Sequence, residues 1–208
     1  MRILRERIQS GERVVMKKGL PILFALLLLP GLYSAGLCPA QEMPVPVDLQ
    51  LNLLLKIISF DRNLSSRNGD SLRVGVVYQE PFRNSLIVRE QIESVFKKLS
   101  APQVKGLPLA LTMIDIYREK LDEAVVSKKV DILYISPLRA YDINSISGLC
   151  RSLGIVSVTG VPEYCGQGLA VGISQNRDRP EILINIRAAR EEGANFSSQL
   201  LKLARVME

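Results

Sequence analysis

Apolar segments alternate with amphipathic ones between residues 71 and 160. The apolar segments predict four strands, over residues 71–78, 107–116, 130–137 and 154–160. The first of them is apolar on both faces in its second half, as is typical of a strand buried in a parallel sheet. The intervening segments predict helices over residues 85–99, 117–128 and 138–152. This alternation indicates a parallel sheet with helices on both faces and right-handed crossovers.

The pattern changes after residue 160. Two strands, 169–176 and 181–186, flank the polar turn "RDRP", which predicts an antiparallel hairpin at the edge of the sheet. A short helix ending at Gly193 and a final helix over 195–207 complete the chain. We therefore expect a three-layer α/β fold. Its sheet would contain about four mostly parallel strands and the edge hairpin, with helices on both faces.

The segment 45–64 predicts a helix that is apolar on most sides, with Pro46 in its first turn. Its polar residues recur at helical spacing and form one narrow stripe: Asp48, Asn52, Lys56, Ser59 and Asn63. Such a helix is covered by other parts of the molecule on most of its surface. Two interpretations remain open here, a core helix and a helix that also contacts a partner chain.

The N-terminal segment has the features of a secretory signal peptide. Lys17 and Lys18 precede the apolar run "LPILFALLLLPGL", which is shorter than the roughly 20 residues of a membrane span. We expect residues 1–40 to be removed by cleavage after Ala40, leaving a single domain over 41–208. Lipidation of Cys38 and a retained anchor are the alternatives, and either Met1 or Met16 is the start.

Charge and composition exclude several classes of function for residues 41–208. The full chain has a net charge of +6, but residues 1–40 contain six Lys/Arg and two Asp/Glu. The remainder therefore carries 21 basic and 19 acidic residues. This balance gives no electrostatic support for a nucleic-acid partner. The chain contains no histidine, which excludes Ser-His-Asp and Cys-His catalysis and HExxH zinc sites.

No other motif indicates catalysis. The glycines of "GQGLAVG" (166–172) lack the GxGxxG spacing and precede a strand, so we interpret them as turn residues. The acidic pairs Glu90/Glu93 and Glu191/Glu192 lie on predicted helices near Lys or Arg, which is typical of solvated helix faces. We expect the protein not to be an enzyme, to use no cofactor and to bind no metal.

The carboxyl ends of the predicted parallel strands are the expected place for a binding site, because ligands collect there in open α/β sheets. Six residues follow the first, third and fourth strands: Gln79, Glu80, Ser136, Thr159, Glu163 and Tyr164. We expect them to form a partner-binding or ligand-binding rim, in which the Tyr164 ring would suit an interface.

Two cysteines remain after the predicted cleavage, Cys150 and Cys165. In an exported protein these two cysteines could form a disulfide. Cys150 ends a predicted helix and Cys165 follows the next strand. A bond therefore requires "VPEYC" to run back until the Cα atoms are within about 7 Å. The sequence leaves open whether this disulfide forms or Cys150 is a small apolar residue of the core.

Several segments together resemble the YfiR-like family of periplasmic proteins. They are "LLLKIISFDRNL", "LRVGVV", "VDILYISP", "VSVTGVPEY" and "EILINIRAAREEGANFSSQLLKLARV", behind a signal peptide. The resemblance covers nearly all of residues 41–208 and is strongest over Ile184–Val206. This chain differs from the family's namesake in its cysteines, because the namesake has two disulfides and this chain allows at most one.

The resemblance implies a regulator that binds the periplasmic domain of an inner-membrane diguanylate cyclase and represses it, lowering cyclic di-GMP and biofilm formation. A sensor kinase is an alternative partner. An outer-membrane lipoprotein that sequesters the regulator, and a homodimer, are also implied.

A second interpretation is a small-molecule-binding module. "LRVGVV" and "REKLDEAVVSKKVDILYISP" are similar to one lobe of a periplasmic solute-binding protein. With the second lobe missing, a ligand would bind a shallow site or a dimer interface.

Overall fold

Strand β1 (Leu72–Tyr78) lies inside the sheet because its second half is apolar on both faces. It pairs in parallel with β3 (Leu107–Asp115) on one side and with β4 (Ile132–Ile135) on the other. The computed structural model describes residues 43–64, 69–99 and 102–207. Within them, eight strands form one sheet in the order β2-β3-β1-β4-β5-β6-β7-β8.

The parallel part of the sheet runs from β3 to β6. Strand β5 (Val156–Thr159) pairs with β4 along its length, and β6 (Val171–Asn176) continues the parallel order. Strand β7 (Arg179–Asn185) folds back antiparallel on β6, which gives the predicted hairpin. Two short strands, β2 (Gln103–Val104) and β8 (Arg205–Met207), form the edges.

Seven helices in the described residues cover both faces of the sheet. One core lies under α1 (Val47–Ser59), α2 (Arg83–Lys98), α6 (Ile186–Glu191) and α7 (Ser198–Leu203). A second core lies under α3 (Leu121–Ser127), α4 (Ile143–Leu153) and α5 (Pro162–Gly166). Alternate residues of β4 enter the two cores. The three-layer, mostly parallel α/β fold is thereby confirmed.

A buried polar contact joins α1 to the centre of the sheet. Gln50 is 1% exposed, and its amide donates to the Val45 carbonyl at 2.7 Å. Its side-chain oxygen accepts from the Tyr134 hydroxyl at 2.6 Å. A Cβ atom on Gly160 would lie 2.1 Å from that oxygen, so only glycine leaves room for it. The contact fixes the position of the helix, since an unsatisfied buried amide would be costly.

The first helix is shorter than the pattern predicts. It begins at Val47, immediately after Pro46, and ends at Ser59 instead of residue 64. The chain turns there because Asp61 forms a β-bridge with Phe196, and the Asp61 carboxylate accepts the Asn195 N–H at 2.8 Å. A contact with a residue far away in sequence therefore ends this helix.

The prediction of a helix over 195–207 is also wrong at its C-terminal end. Helix α7 ends at Leu203, and the next residues form β8, which pairs in parallel with β7. Leu203 is 70% exposed, so the apolar period does not extend along a buried face. The strand satisfies outward-pointing backbone groups of β7 that a helix would leave without protein partners.

Glu192 is fully buried, which corrects its assignment to a solvated helix face. One carboxylate oxygen accepts the Ser157 N–H at 2.7 Å, and the other accepts the Ser157 hydroxyl at 2.7 Å. That hydroxyl in turn accepts the Ala170 N–H at 2.8 Å. The carboxylate thus occupies the place of a neighbouring strand beside β5, just before the β5–β6 pairing begins at Val158.

The predicted signal peptide, its cleavage after Ala40, and Cys38 lie outside the described residues. None of the helices within the described ranges is long and apolar enough to span a membrane.

The Glu192 contact predicts that substituting Glu192 lowers the free energy of unfolding much more than substituting the adjacent Glu191. Replacing Glu192 by Gln turns an amide donor toward the Ser157 donors, and we expect unfolding to become easier by about 1–3 kcal/mol. The Glu191→Gln control loses only surface ion pairs to Arg187 and Arg151, which are worth less than about 1 kcal/mol. Urea unfolding measures both. Equal costs for the two variants would contradict the assigned role of Glu192.

Candidate functional site

The carboxyl ends of β1, β3, β4 and β5 lie along one edge of the sheet, which we call the carboxyl rim. The last residue of β5 and the loops and short helix that follow these strands carry all six predicted site residues. The structure divides the six residues into two groups. Gln79, Glu80 and Glu163 are partly or fully exposed, whereas Ser136, Thr159 and Tyr164 are buried.

Glu80 belongs to an ion-pair cluster with Arg118 and Asp115. The Arg118 guanidinium donates to the Glu80 carboxylate at 2.7 Å and lies 3.5 Å from Asp115. Asp115 is 4% exposed, and one of its oxygens accepts backbone N–H groups from Glu80 and Tyr117. The Asp115 carboxylate therefore holds together the loops after β1 and β3, while the Arg118 guanidinium faces solvent.

Gln79 ties a second pair of loops together. Its N–H donates to the Ser85 hydroxyl at 2.9 Å, and its side-chain oxygen accepts the Arg139 N–H at 2.9 Å. Ser136 is fully buried, where its hydroxyl contacts the Val77 carbonyl and lies 3.2 Å from the Ser85 hydroxyl. These contacts fix the loops after β1 and β4, so Ser136 supports the rim without reaching its surface.

Thr159 has a similar structural role at the end of β5. Its hydroxyl donates to the Ile135 carbonyl at 2.9 Å and accepts the Val161 N–H at 3.0 Å. The side chain satisfies backbone groups where the strand ladder stops. Because Thr159 is fully buried and its hydroxyl already donates and accepts within the protein, it is not accessible to a ligand.

The prediction that the Tyr164 ring forms part of an interface is wrong. Tyr164 is 2% exposed, and its hydroxyl lies between the N–H and the carbonyl of Leu138, at 2.9 and 3.2 Å. The ring packs in the second core because α5 turns it inward. The same contact holds Leu138 in a loop, so α4 begins only after Asp142, whose carboxylate caps it. The neighbouring Glu163 remains exposed.

The loops after β3 and β4 and the first turns of α4 line an open cavity of about 580 Å³ that the sequence did not indicate. Tyr117 and Tyr141 lie on its walls, and the partly exposed Leu149 contributes apolar surface. Tyr117 follows a predicted strand but was assigned to the first turn of the predicted helix 117–128, whereas α3 begins only at Leu121. Tyr141 was hidden inside the predicted helix 138–152, and only the later start of α4 places it in a loop.

Burial raises the pKa of the Tyr141 hydroxyl, and the negative charges of Asp122 and Asp142 raise it further. Burial and the charge of Asp115 likewise raise the pKa of Tyr78, the last residue of β1. Both phenols therefore stay protonated at neutral pH and can act as neutral hydrogen-bonding rings.

Cys150 and Cys165 are free, buried thiols in the structure, so the disulfide left open by the sequence is not formed. Each thiol occupies its own environment. Cys150 packs in the second core, and the Cys165 sulfur lies 3.4 Å from the Leu169 carbonyl. Burial raises the pKa of Cys165 to about 12 and also raises that of Cys150, and the Glu192 charge adds to both effects.

No group of three or more acidic or cysteine side chains is placed to hold a metal ion anywhere in the described ranges. The rim presents ion-paired side chains and a cavity, held by buried hydroxyls that are occupied with backbone contacts. This arrangement is suited to recognition of a partner or ligand.

Comparison with known proteins gives the family of the chain and solved structures that share its fold. Residues 48–205 match the family model described as YfiR/HmsC-like. A conserved domain protein from Vibrio cholerae O1 biovar El Tor strain N16961 has a similar crystal structure. Its TM-score is 0.58 at 14% identity, over 78% of this chain and 60% of that chain. This likeness shows a shared fold. No curated protein matches the chain in sequence.

Two further solved structures are less similar. One is the ligand-free, open form of a substrate binding protein with adhesive properties from Clostridium difficile. Its TM-score is 0.48 at 15% identity, over 70% of this chain and 57% of that chain. The other is an ABC domain in complex with L-Trp from Streptococcus pneumoniae. Its TM-score is 0.47 at 14% identity, over 77% of this chain and 60% of that chain. The chain thus spans at most about 60% of the length of these solved structures.

The burial of both cysteines predicts that their thiols are alkylated slowly in the folded protein. Because both pKa values are raised, almost no thiolate is present at pH 8. We expect iodoacetamide to leave Cys150 and Cys165 unlabelled under native, non-reducing conditions and to label both in denaturant. Mass spectrometry of the two peptides measures this. Rapid native labelling would contradict the burial, and two unlabelled thiols in denaturant without reductant would reveal a bond.

Proposed function

The chain belongs to the YfiR/HmsC-like family, and from this premise we propose that it is a periplasmic regulator of a membrane signalling enzyme. The observation that carries the proposal is the extent of the family match, which begins in the first turn of α1 and ends at the first residue of β8. The match therefore includes the whole sheet core and every loop of the carboxyl rim.

The proposed partner is the periplasmic domain of an inner-membrane diguanylate cyclase, and binding would repress the enzyme and lower cyclic di-GMP. A sensor kinase is the alternative partner, and an outer-membrane lipoprotein would release the enzyme by sequestering the regulator. The physical mechanism is differential affinity. Binding one conformation of the partner shifts its equilibrium by no more than the difference in binding free energy between its two conformations.

The proposed contact surface is the exposed part of the carboxyl rim, formed by Gln79, Glu80, Arg118 and Glu163. Its support is that these charged and polar groups stand on loops fixed by buried contacts, which lowers the entropy lost on binding. Helix α1 offers less surface than its sequence suggested. Six of its residues are buried, and Leu49 is its large apolar side chain most open to solvent.

A second candidate function is binding of a small molecule. The cavity of about 580 Å³ between the loops after β3 and β4 supports it, because ligand sites in open parallel sheets lie beyond the carboxyl ends of the strands. A ligand there would also lie beside Arg118 of the proposed contact surface.

Charge reversal on the rim tests the partner surface. Glu80→Lys would place a cation beside Arg118, and we expect at least about a tenfold loss in capture of a membrane cyclase or kinase from native membranes. Its exposed ion pair contributes less than about 1 kcal/mol, so the urea midpoint should barely change. Lys202→Glu, an exposed change on α7 outside the rim, is the control. Equal capture by both variants would place the interface elsewhere.

Export is tested on the native protein. We expect N-terminal sequencing of protein recovered by osmotic shock to begin at Gln41, because signal peptidase favours small residues before the cut. A lipid-modified Cys38 would support the anchored alternative. Recovery of the chain from the cytosol with Met1 or Met16 intact would contradict the periplasmic assignment.

A further inference from the structure

The two most exposed tyrosines of the described residues line the same cavity. Tyr117 is 69% exposed and Tyr141 is 39% exposed. They stand on different loops, which follow β3 and β4, so the tertiary fold and not the local sequence brings them together. Aromatic rings attract cations over their faces, and the attraction grows when the cation leaves part of its water.

The basic side chains on this cavity already have acidic partners. Arg118 pairs with Glu80 and lies near Asp115. Lys120 donates to Glu123 at 3.0 Å. An anionic ligand would have to compete with these carboxylates, so the cavity is not arranged to bind an anion.

The acidic side chains are not all neutralised in this way. Glu119 pairs with Lys128 at 2.6 Å. Asp142 is occupied as the cap of α4, where it accepts from Asn144 and Ser145. Asp122 also lines the cavity, and its carboxylate accepts the adjacent Glu123 N–H at 2.9 Å.

Among the described residues, no salt bridge to Asp122 is found. Its negative charge acts on the neighbouring Tyr141 hydroxyl. The cavity therefore combines two exposed aromatic rings with one carboxylate that has no basic partner.

We propose that this cavity binds an organic ammonium group, held by the faces of Tyr117 and Tyr141 and by the carboxylate of Asp122. The partly exposed side chain of Leu149 suits the methyl or methylene groups of such a cation. The inference rests on the second candidate function, small-molecule binding, and does not depend on the identity of a protein partner.

Choline is the test probe, and 3,3-dimethylbutan-1-ol, which has the same shape without the charge, is its matched control. The chain contains six tyrosines and no tryptophan, so 3-fluorotyrosine labelling gives one fluorine NMR signal for each ring. Single Tyr→Phe variants assign the signals. We expect choline to shift the Tyr117 and Tyr141 signals saturably and leave Tyr134 and Tyr164, which are buried elsewhere, unchanged.

Substitutions separate the charge from the rings. Tyr141→Leu and Asp122→Asn should each weaken choline binding by about threefold to tenfold, as removal of one ring face or one partly screened charge implies. Tyr141→Phe keeps the ring face and should bind choline as the unmodified protein does. Urea midpoints of all variants should agree, because both positions lie at the surface of the cavity.

The outcomes are distinct. Saturable choline binding with at least about tenfold preference over the neutral alcohol, weakened about threefold to tenfold in the Asp122→Asn and Tyr141→Leu variants, supports the proposal. Equal binding of both probes would identify an apolar groove and overturn it, as would the absence of saturable shifts. If choline fails while another compound raises the melting temperature, small-molecule binding survives and only the ammonium assignment falls.

Discussion

The carboxylate of Glu192 joins the two halves of the sheet. Strands β5 and β6 are in register at only two positions, Val158 with Val171 and Thr159 with Gly172. Just before this short contact, Ser157 has no paired residue on its β6 side, and Glu192 accepts both its N–H and its hydroxyl. A buried carboxylate is stable only when such donors surround it. The place of the hairpin, and of helix α6 that precedes Glu192, therefore depends on this contact.

Buried hydroxyls make the carboxyl rim rigid. Ser136, Thr159 and Tyr164 satisfy backbone groups where the strand ladders end, so the loops there lose little further freedom when a partner or ligand binds. The exposed groups, Glu80 with Arg118 and the tyrosines of the cavity, stand on this fixed base. For a ligand or partner that acts by differential affinity, the effect is limited by the difference in binding free energy between the two conformations that it binds.

The two buried thiols belong to a domain whose described residues contain no covalent bridge. Two layers of helices supply separate apolar cores on the two faces of the sheet, and Cys150 belongs to one of them as a small apolar side chain. Burial disfavours its thiolate, as it does that of Cys165. The departure from the disulfides of the namesake, visible in the cysteine count, is consistent with this packing.

The sequence alone determined the order of the main elements, the parallel centre and the hairpin. The alternation of apolar and polar residues reports which sides of a strand or helix avoid water, and β1 was identified for that reason. It could not distinguish Glu192, which is buried, from Glu191, which is exposed, because a neighbouring strand supplies the donors. The sequence pattern also predicted Tyr164 at the surface and Tyr141 in a helix. Both predictions failed because the contact between Tyr164 and Leu138 joins segments that are distant in sequence. Tertiary contacts decided these positions, since the burial of a polar group depends on segments distant in sequence.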